Sequence, residues 1–234
     1  MLSIVIPTLN ESSRILDTIR LIREHACDSS RYEIVVIDAG STDGTVALLE
    51  QANVRHEVKP AFKGLKYKSL NYGVSLTVGD TLLFLDADCA VPRFFDQLIV
   101  DALKRTRAVG GAFEFRSENR SFAFKLIEII NRVRYRLDGH YFGDQGLFCT
   151  KEAFEGAGGY PGEPLMEAAH FCRALRKLGK LHLIKQSLTT SSRRFEQGGP
   201  AKVFFKDTII WLRFLAGLDV KKYAPGYWGE NEKD

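Results

Sequence analysis

The sequence predicts an α/β protein on a mostly parallel central sheet flanked by helices, and three observations carry that prediction. Leu2 to Ile6, Ile34 to Ile37 and Thr81 to Leu85 are short, nearly continuous apolar runs, the pattern of strands covered on both faces. Helical segments of roughly ten residues alternate with them, which builds right-handed βαβ units. Each run is followed by a polar cluster, at Thr8 to Glu11, Asp38 to Asp43 and Asp86 to Asp88. Ligands of parallel sheets bind at the carboxyl ends of strands, so this convergence marks a candidate site.

Pro7 stops the first run, and Asn10 is placed to cap a helix in which Ile15, Leu16, Ile19 and Ile22 recur at helical spacing. The second run ends at Asp38 and the turn-rich Ala39 to Gly44; Ser41 or Thr42 then caps a helix that turns Val46 and Leu49 inward. Val54 to Val58 reads as a weaker strand and Ser69 to Val78 as a helix. After residue 90 the pattern changes. Pro92 opens an amphipathic helix through Phe95, Leu98, Ile99, Ala102 and Leu103. Ala108 to Phe115 alternates as a strand, Phe122 to Val133 reads as a helix, and Gly146 to Cys149 as a short strand. Met166 to Leu178 is a helix stopped by Gly179, with Arg173, Arg176 and Lys177 near its negative end. Leu181 to Ile184 returns as a strand. Residues 1–222 therefore read as a single domain with halves 1–95 and 96–222, followed by a polar tail, 223–234, frayed from Gly226 onward.

At 234 residues the chain is long enough for one sizeable core, and its 45% apolar and 26% charged residues are those of an ordinary globular protein. A net charge of +4 is too mild and too evenly spread for a nucleic-acid partner, though it suits an anionic small molecule or membrane surface. Cys27, Cys89, Cys149 and Cys172 lie far apart and never form a C-x-x-C pair, which excludes a zinc site and a disulfide scaffold and fits a reducing compartment. Met1 to Pro7 lacks the basic and apolar regions of a signal peptide, and no apolar stretch approaches about 18 residues. The expected location is cytoplasmic, with peripheral contact at the inner face of a membrane as a variant of it. That variant rests on the segment Val203 to Leu215, strongly apolar but broken by Lys206, Asp207 and Arg213. It reads as an amphipathic helix that packs on the domain, contacts a second copy in a homodimer, or lies on a membrane assisted by Lys221 and Lys222.

The turn Asp86-Ala87-Asp88 directly follows Leu82-Leu83-Phe84-Leu85. Two carboxylates one residue apart can approach one hard cation, Mg2+ or Mn2+, and such an ion can hold a diphosphate. The competing reading is that one aspartate caps the helix near Pro92 while the other is solvated. Asp38 ends its strand in the same way; it either accepts a hydrogen bond from a nucleobase or makes the turn itself. Asp43 reads as a helix first-turn charge.

Ile4 to Glu11, Val35 to Thr45 and Phe84 to Asp88, in that order and spacing, resemble the family 2 glycosyltransferases. Gly143-Asp144-Gln145-Gly146-Leu147-Phe148, Gly158-Gly159-Tyr160-Pro161, Pro164-Leu165-Met166-Glu167 and Ser192-Arg193-Arg194-Phe195 resemble a short bacterial subgroup, which extends the likeness over most of the chain. The resemblance implies a GT-A fold with a Rossmann-like sheet and an inverting, metal-dependent transfer of sugar from a UDP- or GDP-sugar. Residues 1–95 would bind the nucleotide sugar and 96–222 would shape the acceptor site; the acceptor is a small molecule or a lipid-linked group. Pro7, Thr8, Asn10 and Glu11 would hold the nucleoside, with Asp38 on the base and Glu11 near the ribose. Asp86 and Asp88 would bind ribose and metal-diphosphate, Asp88 as the direct ligand. Lys66, Lys68 and Asn71 would lie in a substrate-binding segment whose lysines contact phosphates, and Arg193 and Arg194 would stabilise the diphosphate as bidentate donors.

Inversion needs a base to deprotonate the acceptor hydroxyl. The family places it in a Glu-Asp pair, and here the pair is Glu167-Ala168. Glu167 thus inherits the role, with Asp144 as its acceptor-side neighbour and His170 as an alternative base one turn on. Loss of the aspartate also admits a nucleotide-sugar-binding protein without transferase activity. A sugar nucleotidyltransferase is a further rival, but Thr8 to Glu11 lacks the glycine- and basic-rich triphosphate loop of that class.

Overall fold

The computed structural model describes residues 1–224, except the side chains of Leu137 and Asp138; the tail from Gly226 lies outside the described residues. Strands β1 (Leu2–Thr8), β2 (Tyr32–Asp38), β3 (His56–Val58) and β4 (Thr81–Phe84) pair in parallel in the order β3-β2-β1-β4. Helices α1 (Ile15–His25), α2 (Thr45–Gln51) and α3 (Lys66–Ser75) connect them. The chain continues through β5 (Cys89–Ala90), α4 (Phe95–Thr106), β6 (Gly110–Ser117), α5 (Phe122–Asp138), β7 (Phe148–Thr150) and α6 (Lys151–Gly156). It then forms α7 (Glu167–Leu178), β8 (Leu181–Thr190), α8 (Arg193–Gly198) and α9 (Pro200–Leu215). All eight strands join one sheet, β3-β2-β1-β4-β7-β6-β8-β5, in which β5 and β7 run against the rest.

The side-chain alternation explains why both faces are covered. Ile4, Ile6, Leu83 and Leu85 point into a core closed by α1, α2 and α4 through Ile15, Ile19, Ile22, Leu49, Phe95 and Ile99. Val5, Leu82 and Phe84 point the other way, onto Leu70 and Val74 of α3, Phe154 of α6 and Phe171 of α7. Only four residues separate β4 from β5, although β7, β6 and β8 lie between them in the sheet. A flat sheet would put those strands about 19 Å apart. The linking segment is instead a turn, with Cys89 N–H donating to the Asp86 carbonyl at 3.3 Å. The sheet therefore curls, and the acidic turn closes its far edge.

Several expected boundaries move, each for a physical reason. β1 runs through Pro7, because Pro7 faces the β4 side, where β4 has already ended, and no ladder donor is missing. Asn10 does not cap α1: it adopts φ 55° and its side-chain oxygen accepts from Thr42 N–H at 2.9 Å. Ser41 and Thr42 do not cap α2 either; Asp43 accepts from Thr45 N–H at 3.0 Å. Pro92 lies three residues before α4, whose preceding residue Phe94 has φ 61°. β8 continues six residues past Ile184, because Lys185 and Gln186 bulge out of register between Phe113 and Glu114 of β6 and mask the pattern. Among the described residues no helix is long and apolar enough to cross a membrane.

Candidate functional site

The carboxyl ends of β1, β2 and β4 meet at one edge, and side chains stitch their loops together. Asp38 is buried and consumed by its own turn: its carboxylate accepts from Gly40 N–H (2.9 Å), Ser41 N–H (2.8 Å), the Ser41 hydroxyl (2.5 Å) and the Thr8 hydroxyl (3.3 Å). Asn10 N–H donates to the Ser41 hydroxyl at 2.8 Å, Glu11 N–H to the Thr45 hydroxyl at 2.9 Å, and Ser12 N–H to Asp43 at 2.9 Å. These bonds make one rigid rim from residues 8–12 and 38–45, and Pro7 leads into it. Gly40 has φ 95°, and a Cβ there would stand 3.1 Å from the Pro60 backbone, so the rim needs glycine at that point.

The acidic turn sits beside this rim. Ala87 is buried and its carbonyl accepts from the Thr18 hydroxyl of α1 at 2.7 Å, which fixes the turn between its two aspartates. Asp86 is ion-paired with Lys66, the first residue of α3, and both are largely buried. Burial opposes the lysine charge, but Asp86 and Glu167 outweigh it and raise its pKa. Asp88 makes no hydrogen bond among the described residues. Burial, then the charges of Asp86 and Glu11, push its pKa up to about 7, against the pull of Arg193 and Lys66. Glu11 Oε1 accepts from Arg193 at 2.6 Å, while its Oε2 is buried without a partner. Burial raises Glu11 as well, offset in part by Arg193.

On the acceptor side, a small recess is lined by Lys66, Asp86, Gly143, Tyr160, Glu167 and Ala168. Glu167 opens α7 behind Met166, which has φ 62°, and its carboxylate is buried. Burial raises its pKa; Lys66 opposes, and Asp86 and Asp144 add to the rise. Asp144 is half-buried in the turn before Gln145 and is pushed up to about 6 by burial and Asp86, against Arg134, Lys66 and Arg194. A Cβ at Gly143 would stand 3.0 Å from Lys66 Nζ, so a bare backbone there leaves the lysine its place.

The structure thus gathers Glu11, Lys66, Asp86, Asp88, Asp144, Glu167 and Arg193. It places others elsewhere. Lys68 is exposed on α3. Asn71 spends both amide atoms on the Tyr160 backbone, donating at 2.9 Å and accepting at 2.8 Å, so it straps α3 to the turn before the recess. Arg194 binds both carboxylate oxygens of Asp207 on α9 at 2.5 Å. His170 stands edge-on to Phe214 at 4.8 Å, outside the recess, and its pKa is lowered by burial. Tyr160 also lines the recess, and its place after the Gly158-Gly159 pair is the one sequence signal for it.

The chain matches the family model described as Glycosyl transferase family 2 over residues 3–155. It is 25% identical over 169 residues to glycosyltransferase AglE of Haloferax volcanii, a match covering 68% of this chain and 55% of that one. The chain thus spans about half the length of this curated relative. Among solved structures it is similar to TarS of S. aureus (14% identity, TM-score 0.66, 81% of this chain and 36% of that one), a protein also solved with UDP-GlcNAc. It is similar to the mannosyltransferase PcManGT of Pyrobaculum calidifontis in complex with GDP-Man and Mn2+ (20%, TM-score 0.62, 80% and 56%). It is also similar to glucosyl-3-phosphoglycerate synthase of Mycobacterium tuberculosis (19%, TM-score 0.63, 94% and 81%). These neighbours share the α/β architecture of the GT-A fold. A family match over more than half the chain, on a sheet whose strand ends carry the acidic turn, means that this protein belongs to glycosyl transferase family 2.

Proposed function

We propose that the protein is an inverting glycosyltransferase that moves a sugar from a nucleoside diphosphate donor to an acceptor hydroxyl. The observation that carries this reading is the grouping of Asp86, Asp88 and the unpartnered Glu11 oxygen with Arg193 and Lys66 at the strand ends. Acids and bases held so close suit a ligand that is itself a diphosphate with a cation. Donors solved with the similar proteins carry either uridine or guanosine, which supports a UDP- or GDP-sugar here.

The donor set fits Mn2+ or Mg2+: hard carboxylate oxygens, of which those of Asp88 are free of hydrogen bonds, and a raised pKa that a cation would reverse. Among the described residues no three acidic, histidine or cysteine side chains are close enough to enclose a metal. Asp88, with Asp86, would therefore hold the ion while diphosphate and water complete its shell. When bound, the ion supplies charge neutralisation for the departing diphosphate.

Glu167 is the base. Burial makes its carboxylate more basic than an exposed glutamate, and Lys66 keeps it from holding its own proton too tightly. It takes the acceptor hydroxyl proton as that oxygen bonds to the anomeric carbon, and the bond from that carbon to the diphosphate oxygen breaks. Ala168 lines the same recess and contributes no second carboxylate. Arg193 sits close enough to the acidic turn to lower the pKa of Asp88, which supports a role for it on the leaving phosphate.

Thermal denaturation with UDP- and GDP-sugars, with and without Mn2+, tests donor binding. Asp88→Ala is expected to abolish the metal-dependent part of the shift; a wild-type shift in that variant overturns the reading. Glu167→Gln is expected to keep the donor shift but lower turnover at least about a hundredfold. Donor binding without turnover in the wild type would favour the rival of an inactive nucleotide-sugar-binding protein, to which Ala168 points.

A further inference from the structure

α5 and α9 leave a shared apolar face uncovered. On α5, Leu126, Ile129 and Val133 are 48%, 55% and 54% exposed; on α9, Phe205, Ile209 and Leu212 are 64%, 51% and 52% exposed. Both triplets follow one side of a helix at spacings of three and four. The helices touch through Arg134 and Trp211, whose side chains lie 5.8 Å apart, guanidinium carbon to ring centre. At about 100° per residue, Arg134 and Trp211 each sit on the flank of its own stripe, so the two stripes are neighbours across that junction. Phe122, 82% exposed, extends the face at the start of α5. Soluble surfaces seldom leave so many large side chains together without a partner.

The charges tell which partner. The outer flank of α5, away from α9, carries Lys125, Arg132 and Arg136, of which the two arginines share the single carboxylate of Glu114 on β6 and stay about half exposed. The outer flank of α9 carries Lys202, Lys206 and Arg213, the last also donating to the Asp219 carbonyl. The acids of these helices whose side chains are described are turned elsewhere, Glu128 buried against Ser117 and Arg120, Asp207 against Arg194. A second copy would bring identical basic rows against these rows or against this apolar stripe. An apolar strip between two basic rows instead matches a bilayer surface, in which hydrocarbon lies beneath anionic headgroups.

We infer that the α5–α9 face docks the protein on an anionic membrane. The apolar residues enter the headgroup boundary while the basic rows meet phosphates on either side. α9 packs its opposite side, through Ile210 and Phe214, against Leu165, Met166 and Ala169, the residues around Glu167. The recess thus stands about one helix spacing, roughly 10 Å, above the docked surface. Docking of this kind is independent of which sugar is transferred.

The test is co-sedimentation of the full chain with vesicles of phosphatidylcholine alone or mixed with phosphatidylglycerol, beside sedimentation velocity without lipid. Binding is expected to the mixed vesicles, to weaken with salt, and to be lost in Ile129→Asp/Ile209→Asp. Lys202→Glu/Lys206→Glu, both exposed, is expected to lower partitioning at least about tenfold. Melting curves equal to the wild type check that the variants are folded, and the lysine variant serves where the apolar one is not. Absence of partitioning into mixed vesicles, or equal binding by the folded lysine variant, overturns the inference. So does a stable dimer that Ile209→Asp dissociates in a protein that ignores both vesicles.

Discussion

Asp43 and Asp144 are both acids near the strand ends, and their surroundings move them in opposite directions. For Asp43 a modest burial cost is outweighed by hydrogen bonds from Thr45 and Ser12, and its pKa falls to about 2. A group depressed on folding stabilises the native state above its unfolded pKa and loses that effect as pH falls. Asp43→Asn is therefore expected to cost about 1 kcal/mol at pH 7, discounted for the exposure of the side chain, and almost nothing near pH 2. Denaturant titrations of both proteins across that window check it. Asp144 is the reverse case: raised to about 6, it keeps its proton in the folded chain after the unfolded one has lost it. Stability falls as pH rises from about 4 to about 6. Asp144→Asn should stabilise the protein by about 2 kcal/mol at pH 8 and leave it unchanged at pH 3, read as melting temperature at the two values. Such a gain from removing a site residue would mark Asp144 as kept for chemistry rather than for folding.

At the scale of elements, α3 illustrates how packing delivers a side chain. A Cβ on Gly73 would lie 2.4 Å from Val5 Cγ1, so the helix rides on β1 with no room for a methyl group. That close approach brings Lys66, at the start of α3, to Asp86. Gly73→Ala is expected to destabilise by about 2 kcal/mol despite the better helix propensity of alanine, and to reduce the stabilisation by donor seen in thermal denaturation. The parallel strands and the acidic turn were legible because apolar runs and strand-end polar clusters are local patterns. Asn10 reads as a cap in the sequence because its real partner, Thr42, is 32 residues away. The two residues of β5 carry no periodicity, and they exist only because Thr189 and Thr190 pair with them. The Lys66–Asp86 pairing was likewise invisible: the lysine was legible as a phosphate contact, whereas its neighbour is fixed by the packing of α3.

For the whole molecule, two ion pairs tie the N-terminal segment to the middle and to the far end of the chain. Arg14 forks onto both oxygens of Glu118 at 2.9 and 3.1 Å, and Arg193 reaches Glu11 across 182 residues. A double-mutant cycle on Glu11→Gln and Arg193→Met should give a coupling of about 1 kcal/mol in the absence of ligand, since the pair is only partly buried. Additive effects would mean that the contact contributes nothing to closing the cleft. The acidic turn has a consequence of its own at this scale. Cys89 is held in register with Thr190, and Phe84 lies in the middle of the sheet, so the four residues between them work as a ruler with no slack. One inserted residue would rotate Asp88 to the other side of the chain. The turn thus gives the surrounding loops a measuring edge of constant length, and a lengthened turn is expected to lose the edge strand before it could serve a different sugar.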